Sequence, residues 1–585
     1  MVAVDRGTIR ADRLGWSAAI AVVVLAGFLL RLYGIDDRGM SHPELYIPGI
    51  ELIPGISAPP PRIHFGDVLH FHFHTEPHPM GFYLLGYAWT SLFGIDIGTL
   101  RLPSAILGGL TVWLVWRLGR MHYGNTVGLV AALLLAAHGY HLLWSQLARM
   151  YAPGTFCAVL ATLLLVVVIQ DRQRRLWPQA AYVVSLFLGT QMTQLFWGIA
   201  FLHVGWLALV LSPGEARFSI GNVLFPWKAK VSRVAQLQAL ALMASAPALT
   251  HVLYRAREGA VDQPGISFIL DYFGFGFLFS WKVGAAPYEA TPIWMLGLLA
   301  ACCLALVFVG SRSSGRTTLA PVDGRPIRFL WLTGTAILSG AVIVWLASIA
   351  HRRNEFLLAT AVLPLLCLWV PALVSGFRQL ADQIAPWLGR LIERFDPVTL
   401  LFLLIALVPA TVFFAFSFAV SVAAARAFLV FVPFLLLLTA AGLVTCAERL
   451  PRSLTLGGAA AVALLWAGSI DRSWQMPYSP RAYDAIAAHV AAHGAPGDPV
   501  FIRARHWADT PIMYHLKNVR YVAENYEEML REPAVDRVWA VDFQLGDQRS
   551  AEKEWHQLLV AHGFREESRY TARRGLACLY VRSVE

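Results

Sequence analysis

Long apolar segments separated by short polar stretches dominate the first 470 residues of the chain. Fourteen of them could cross or nearly cross a bilayer, although several fall short of the roughly 20 residues that a transmembrane helix needs. They lie near residues 15–33, 80–94, 101–116, 126–144, 153–170, 179–190, 192–212, 234–254, 290–310, 328–349, 355–374, 398–424, 426–445 and 454–470. The pattern predicts a bundle of α-helices embedded in a membrane.

Basic residues gather in short clusters between these segments, as they do in cytoplasmic loops. Alternating sides from cluster to cluster places the N-terminus in the cytoplasm and everything after about residue 470 outside. An inside start and an outside end require an odd number of crossings, so one segment does not cross. Segment 80–94 is short and favours a helix that lies along the membrane or re-enters it. We therefore expect about 13 transmembrane helices, the first of them uncleaved.

Two large polar regions fall on the outer side: a first outer loop over residues 34–79 and a tail over residues 471–585. In the tail, "RAYDAIAAHVAAHG" and "AEKEWHQLLVAHGF" have helical spacing, whereas "DPVFIRA", "VWAVDF" and "GLACLYVRS" are typical of strands. This alternation predicts a small extracytoplasmic α/β domain after a membrane domain of residues 1–470. No glycine-rich phosphate loop follows a strand there, which argues against nucleotide binding.

The composition supports a polytopic membrane protein, because 57% of the residues are hydrophobic and only 14% are charged, against about 25% charged residues in soluble domains. The net charge of +10 would suit a nucleic-acid partner, but its clustering between apolar runs reports topology instead. Five of the six cysteines lie inside apolar runs, so no disulfide framework is implied. Arg31, Arg101 and Arg117 lie near predicted helix ends, where their side chains can snorkel to the interface.

The first outer loop offers carboxylates in the stretch "RLYGIDDRGMSHPELYIPGIE", at the depth of a lipid headgroup. The four acids in it are Asp36, Asp37, Glu44 and Glu51. A partly buried carboxylate in such a place can take a proton from an acceptor hydroxyl as a general base. Glu44 is the strongest candidate because Pro43, Leu45 and Tyr46 surround it. The alternative for any one of these acids is a solvated side chain without a role.

The loop ends in "HFGDVLHFHFHTEPHPMG", which combines five histidines with two acids. Taken as an extended strand, this stretch places His70, His72 and His74 on one face and Phe71 and Phe73 on the other. Three imidazoles on one face can ligate a divalent ion. The alternative is a loop whose aromatic face packs and whose histidines are solvated, and the residues alone leave both possibilities open.

Further polar groups lie near the outer mouths of the predicted helices. Glu76 and His78 occur in "TEPHPMGFYLLGY", and either could bind a phosphate or a sugar hydroxyl. Arg149 and Tyr151 occur in "SQLARMYAPG", where an outer cation defies the positive-inside trend and indicates either function or snorkelling. The remaining outer arginines are Arg352, Arg353 and Arg426. Guanidinium groups are natural partners of phosphates, so the set predicts a site for an anionic lipid-linked substrate.

In their order along the chain, these motifs resemble the GT-C glycosyltransferases, specifically bacterial relatives of the dolichyl-phosphate-mannose protein mannosyltransferases and of the aminoarabinose lipid A transferase. The resemblance rests on "LRLYGIDD", "PELY", "HPMGFYLL", "TLRLPSAILGGLTVWLVWRLGRMHYG", "SQLARMYAP" and "ARAFLVFVPFLLLLTAAGL". It implies a GT-C-like helix bundle in a bacterial inner membrane. It also implies transfer of a sugar, with inversion, from a polyprenyl-phosphate donor to a protein, lipid or glycan acceptor on the outer face.

The resemblance assigns a general base to the first outer loop. Glu44 matches the second acid of the family's Asp-Glu pair and is expected to act as the base, whereas Pro43 stands in the place of the first acid. This departure leaves alternatives open, because Glu51 or Asp67 of the long loop could have taken the role, or activity could be lost.

The resemblance also implies a set of substrate-binding residues, which are Glu76, His78, Arg149, Tyr151 and Arg426. His78 matches the family's His-Pro-Pro element, with Glu76 beside it, and Arg149 with Tyr151 matches its Arg-x-Tyr element. Arg426 matches a late arginine of the family, and Arg352 with Arg353 is a rival phosphate clamp. These residues are expected to hold the donor on its phosphate side.

No resident cofactor and no nucleic-acid partner is expected, while a divalent cation at the histidine-rich stretch remains an alternative because related oligosaccharyltransferases use one. Two other function classes also remain open. A transporter or flippase of a lipid-linked sugar would place functional polar groups near mid-membrane. A non-catalytic envelope-assembly subunit would have lost the base from its loop. Breakage of the donor's sugar–phosphate bond distinguishes the transferase from both.

Overall fold

The chain forms two compact units. The computed structural model describes residues 6–37, 39–41, 44–45, 47, 64–74, 78–171, 173, 175–210, 233–255, 396–417, 425–460, 463, 467, 483–502, 511–543, 550–572 and 575–583. The first unit comprises Met1–Tyr33, His72–Phe82 and Leu102–Ser473, and the second comprises Gly34–Phe71, Tyr83–Arg101 and Trp474–Glu585. The second unit therefore joins most of the first outer loop with the tail.

Helices account for most of the described residues before the tail, because an apolar segment in lipid must satisfy its backbone hydrogen bonds internally. The α-helices are α1 (Arg6–Leu32), α2 (Phe65–His74), α3 (Gly81–Phe93), α4 (Ile97–Tyr123), α5 (Asn125–Ala136), α6 (Gly139–Ser145), α7 (Tyr151–Gln170), α8 (Leu176–Met192), α9 (Phe196–Val210), α10 (Arg233–Arg255), α11 (Pro397–Ser417) and α12 (Val432–Arg449). A 3₁₀ helix over Ala425–Phe431 leads into α12.

Four helices in the described ranges are long and apolar enough to cross a membrane. They are Gly15–Leu32, Ile97–Tyr123, Tyr151–Gln170 and Phe428–Arg449. The helix pair α5 and α6 passes the same criterion only when the two are taken together. The segments predicted between residues 290 and 374 lie outside the described residues, so a bundle of about 13 crossings stays a prediction.

The apolar segment predicted over residues 126–144 is not one straight helix. It divides into α5 and α6, whose axes are bent by 61° at the break. His138 lies at the break and caps α6, because its Nδ1 accepts the backbone N–H of His141 at 3.1 Å. A second helix that starts at a capping residue within an apolar run changes the direction of the chain, although the run stays apolar throughout.

Helix α3 corresponds to the segment for which no crossing is predicted. It has 13 residues, which span about 20 Å at 1.5 Å per residue, less than the roughly 30 Å of a bilayer core. Its position along the membrane or within it stays a prediction.

Residues Phe65–His74 of the histidine-rich stretch form helix α2, so the interpretation of residues 70–74 as a strand is wrong. Among the α2 side chains that the structure describes, Val68, Leu69, His72 and Phe73 are buried. This spacing of one, four and five residues follows the helical period of 3.6 rather than the period of two. Three alternate histidines therefore do not share one face as they would in a strand.

Helices α4 and α5 pack closely through two glycines. A Cβ on Gly119 would lie 2.9 Å from the Cα of Gly128, and a Cβ on Gly128 would lie 2.7 Å from the Trp116 carbonyl. Small residues allow such close approach of backbones in membrane helix pairs. Gly124 connects the two helices with φ of 99°, a conformation that favours glycine.

The tail forms a five-stranded mixed sheet in the order β2-β1-β3-β5-β4. Its elements are α13 (Tyr483–His493), β1 (Pro499–Phe501), α14 (Ile512–His515), β2 (Arg520–Val522), α15 (Tyr526–Leu530), β3 (Arg537–Asp542), α16 (Ser550–Ala561), β4 (Phe564–Ala572) and β5 (Gly575–Arg582). Strand β1 pairs in parallel with β2 and β3, whereas β5 is antiparallel to β3 and β4. Strands β1, β3 and β5 occur at the three segments predicted to be strands. We call residues 483–583 the C-terminal α/β region.

Candidate active site

Glu44 is completely buried, and its carboxylate is bonded first to its own loop. Oε2 accepts the Ser41 backbone N–H at 3.0 Å and the Ser41 hydroxyl at 2.8 Å. The Glu44 N–H donates in return to the Ser41 carbonyl at 2.9 Å. As in a helix capping box, the Glu44 side chain accepts the backbone N–H of the residue three positions before it. Here, however, the Ser41 carbonyl and not its hydroxyl accepts the return N–H, so the bonds close a tight turn. The turn fixes the orientation of the carboxylate.

Arg101, in the first turns of α4, forms a two-pronged ion pair with Glu44. Its Nε lies 2.9 Å from Oε1 and its Nη2 lies 2.9 Å from Oε2, and both side chains are shielded from solvent. The guanidinium also donates to the carbonyls of Ile35 at 2.7 Å and Gly39 at 3.1 Å. Arg101 therefore binds the first outer loop at three residues, and the expectation that it snorkels to the interface is wrong.

The start of α4 is itself fixed by a helix cap. Asp96 precedes the helix, and its Oδ1 accepts the backbone N–H of Thr99 at 3.0 Å. The hydrogen bonds from Thr99 hold the pKa of Asp96 below its ordinary value. A capped first turn presents Arg101 from a rigid element rather than from a loop.

The ion pair has a clear electrostatic consequence. A carboxylate removed from water is costly unless it is paired and hydrogen-bonded, and Glu44 is both. The adjacent guanidinium favours the ionised form, which is the form that a base requires. The arrangement can hold a proton acceptor in one place, and it can equally hold the loop in one shape.

Arg149 and Tyr151 lie in the first unit, between α6 and the start of α7. Arg149 is 5% exposed, and its carbonyl accepts the Ser104 hydroxyl at 3.1 Å. The ring of Tyr151 meets the ring of Trp144 at a centroid distance of 4.6 Å and an angle of 70°. Such edge-on aromatic contacts add to the stability that burial provides. The segment predicted to bind the donor is therefore buried and braced from α4 and α6.

The position of α6 depends on Arg31, which the sequence analysis assigned to the interface and which is in fact completely buried. Its Nη1 donates to the Ala136 carbonyl at 3.3 Å, and its Nη2 donates to the Leu135 carbonyl at 3.2 Å. Nη2 also contacts His141 Nδ1 at 2.8 Å. The cation thus covers carbonyls exposed by the break after α5, where the helix dipole is negative. The expectation of snorkelling is wrong for Arg31 as well.

Gln146 makes a second link between α6 and α1. Its Nε2 donates to the carbonyls of Leu30 at 3.3 Å and Tyr33 at 2.7 Å. Together with Arg31, it ties the broken span to the last turn of α1. The sequence patterns placed Arg31 at the interface and gave Gln146 no role, although an arginine and a glutamine inside apolar runs are signals of buried polar contacts.

The remaining predicted site residues are exposed, half-buried or only partly described by the structure. His78 is half-buried in the turn before α3, and Asp36, Asp37 and Asp67 are exposed. Arg426 lies in the 3₁₀ helix before α12, and its side chain is outside the described part of the structure. The predicted residues that lie outside the described ranges are Glu51, Glu76, Arg352 and Arg353.

Within the described residues, no group of three or more His, Cys, Asp or Glu side chains could hold a metal ion. His72 is instead stacked on His251 with ring centroids 4.1 Å apart, and Phe73 meets the same ring at 6.2 Å. The side chains of His70 and His74 lie outside the described set.

Sequence comparison matches one segment of the chain to a known family. Residues 75–227 match the family described as dolichyl-phosphate-mannose-protein mannosyltransferase. The match agrees with the resemblance to the mannosyltransferases that the sequence motifs suggested. The matched segment contains His78, Arg101, Arg149 and Tyr151, and Glu44 precedes it. No curated protein matches the chain significantly.

Several solved structures are similar to nearly the whole chain at low sequence identity. ArnT from Cupriavidus metallidurans bound to undecaprenyl phosphate is 12% identical, with a TM-score of 0.41 over 97% of this chain and 98% of that one. The Archaeoglobus fulgidus oligosaccharyltransferase AglB, in complex with an inhibitory peptide and a dolichol-phosphate, is 12% identical, with a TM-score of 0.42 over 97% and 74% of the two chains. The same enzyme tethered to an acceptor peptide has a TM-score of 0.44 at 13% identity, with the same coverage.

Proposed function

We propose that the chain transfers a sugar from a polyprenyl-phosphate-linked donor to a hydroxyl of a protein, lipid or glycan on the outer face of a bacterial inner membrane. The observation that carries this proposal is the family match over residues 75–227, whose description names a lipid-phosphate-linked sugar as donor and protein as acceptor. The topology that accompanies it has the N-terminus in the cytoplasm and the C-terminal α/β region outside.

The reaction is a single displacement with inversion. The acceptor oxygen attacks the anomeric carbon, the bond from that carbon to the phosphate oxygen breaks, and the prenyl phosphate leaves as an anion that needs no proton. The acceptor hydroxyl loses its proton, and Glu44 takes it as general base. Arg101 keeps the carboxylate ionised and oriented before the acceptor arrives.

The leaving phosphate gains negative charge as the bond breaks, so cations near it stabilise the transition state more than the ground state. Arg149 and Arg426 supply such cations in this proposal. Tyr151, Glu76 and His78 bind hydroxyl or phosphate oxygens of the donor in this proposal.

Reconstitution of the purified chain in liposomes tests the proposal. Donors with a radiolabelled sugar on a short-chain prenyl phosphate are offered with a mixed acceptor extract, and free prenyl phosphate is measured by mass spectrometry. Release that requires the wild-type protein supports transfer. A flippase would move intact donor across the bilayer, and a non-catalytic subunit would neither move nor break it.

The same assay decides the role of a divalent cation. Activity is compared before and after treatment with EDTA, and after return of Mg²⁺, Mn²⁺ or Zn²⁺. Unchanged activity in the chelator removes the metal alternative, whereas loss and recovery with one ion establishes it.

A further inference from the structure

The C-terminal α/β region contacts two earlier segments of the chain, the first outer loop and the residues just before α4, through two consecutive residues of α14. The Tyr514 hydroxyl donates to the Ile95 carbonyl at 2.8 Å, and His515 Nε2 accepts the Met40 backbone N–H at 3.1 Å. Ile95 lies two residues before α4, the helix that presents Arg101, and Met40 lies in the loop that presents Glu44. The two bonds therefore touch the elements that carry both partners of the buried ion pair.

Helix α14 is fixed in the C-terminal α/β region by its remaining residues. Ile512 and Met513 are completely buried, and Leu516 is nearly so. The short helix thus has an apolar side within the region, while Tyr514 contacts Ile95 and His515 contacts the first outer loop. A contact made from such an anchored element restrains its partner more than a contact from a mobile side chain does.

Three consecutive loop residues are each held by a different group. The Gly39 carbonyl accepts from Arg101, the Met40 N–H donates to His515, and the Ser41 N–H donates to Glu44. Backbone groups of a loop must find partners when they are withdrawn from water, and here each partner comes from a separate part of the second unit. The middle one of the three comes from the C-terminal α/β region.

We infer that Tyr514 and His515 are positioning residues for the proposed transfer: they clamp residues 39–41 and the start of α4, and so set the place of the Glu44–Arg101 pair. This inference rests on the proposed function for its catalytic consequence, but the clamp itself is a structural claim. The C-terminal α/β region then serves as part of the catalytic loop's framework and not only as a cover or an acceptor-binding module.

The test uses the full-length protein in liposomes and a double variant, Tyr514→Phe with His515→Leu. Arg38 immediately precedes the clamped residues, so tryptic cleavage after Arg38, followed by mass spectrometry, reports loop opening. We expect cleavage to rise at least about tenfold, because two hydrogen bonds are lost, and kcat to fall with little change in donor KM. The variant His515→Gln keeps an acceptor oxygen and is expected to restore most of both readouts.

Tyr521→Phe is the matched control. The Tyr521 hydroxyl also donates to a carbonyl at 2.8 Å, but that carbonyl belongs to Leu516 of the same region. The inference is overturned if the double variant and this control cleave at the same rate after Arg38. If the wild-type protein shows no transfer, the proposed function fails, while the cleavage readout still decides the clamp. Tryptophan fluorescence verifies that the C-terminal α/β region remains folded in each variant.

Discussion

Arg101 meets both carboxylate oxygens of Glu44 at 2.9 Å, and neither side chain reaches solvent. The two residues are 57 positions apart in the chain, so their pairing joins the first outer loop to α4. A buried pair of this kind is sensitive to the loss of one partner, because the other is left as an isolated charge. Removal of both partners avoids that cost.

The substitution Arg101→Met is expected to destabilise the protein by about 3–5 kcal/mol, since it leaves the Glu44 carboxylate buried without its cation. The double variant Glu44→Gln with Arg101→Met is expected to recover much of that loss. Thermal unfolding in detergent measures both. The solvent-exposed pair Arg520 and Glu532 is also two-pronged, and its bonds are made by Nη1 and Nη2 of the arginine. Its removal is expected to change stability much less, because solvent screens the charges of the pair. Equal losses of stability at the two sites would contradict the expectation that an unpaired charge costs more when it is buried.

The same double variant separates a base from a purely structural carboxylate. If Glu44 takes the acceptor proton, transfer falls by about 10²–10⁴ even where stability is recovered. Transfer within tenfold of the wild-type rate in the stable double variant would mean that Glu44 only shapes the loop. In that case the base must be sought elsewhere, with Glu51 and Asp67 as the next variants to assay.

The variant Ser104→Ala is expected to loosen the segment that carries Arg149, because the Ser104 hydroxyl bonds the Arg149 carbonyl. Loss of one buried hydrogen bond costs about 1 kcal/mol, which corresponds to a donor KM raised about fivefold. Ser185→Ala is the matched control, since the buried Ser185 hydroxyl bonds the Tyr182 carbonyl of its own helix. A donor KM that is equally raised in both variants would show a general packing effect rather than a specific one.

Hydropathy predicted helices well where the local sequence alone determines where a helix begins and ends. The apolar run that became α7 is helical over its whole length, because no residue within it caps a new helix start. The run that became α5 and α6 differs by His138, whose imidazole caps a second helix. Hydropathy cannot detect that change, since the segment stays apolar on both sides of His138.

The site was predictable in part. Glu44 and Arg149 were found from motif order, and both prove to be buried. Their partners were missed because Arg101 and Ser104 lie tens of residues away from them, a distance that local pattern does not bridge. The strand interpretation of the histidine-rich stretch failed because it gave the alternating histidines too much weight. The buried pair Val68 and Leu69 is repeated four residues later by His72 and Phe73, which is a helical spacing.

Arg31→Met is expected to destabilise the first unit by about 3 kcal/mol, because the Leu135 and Ala136 carbonyls lose charged donors while remaining buried. Arg117→Met is the control, since Arg117 is exposed on α4. Thermal unfolding and donor KM are measured for both. A stable Arg31→Met protein would show that other groups satisfy the broken span.

The neutral imidazole of His515 makes the contact between α14 and the loop depend on pH. Burial lowers the pKa of His515 to about 4, with Asp484 and Glu44 opposing this shift and Arg101 and Lys517 adding to it. When the contact opens, the pKa of His515 returns to its ordinary value of 6.5. Below that value the opened form binds a proton that the closed form excludes, so acid favours opening. The contact is complete above pH 6.5 and weakens as the pH falls towards 4.

Hydrogen exchange of the Met40 amide measures this opening directly. After correction for intrinsic exchange rates, we expect the opening constant to rise by up to roughly tenfold for each pH unit between 6.5 and 4. The variant His515→Gln cannot take up the proton, and its opening constant is expected to stay flat over the same range. The amide of Leu516, which bonds the Ile512 carbonyl at 2.8 Å inside the C-terminal α/β region, is the internal reference. A rise of equal slope in His515→Gln would assign the pH dependence to another group, because no imidazole would remain at residue 515.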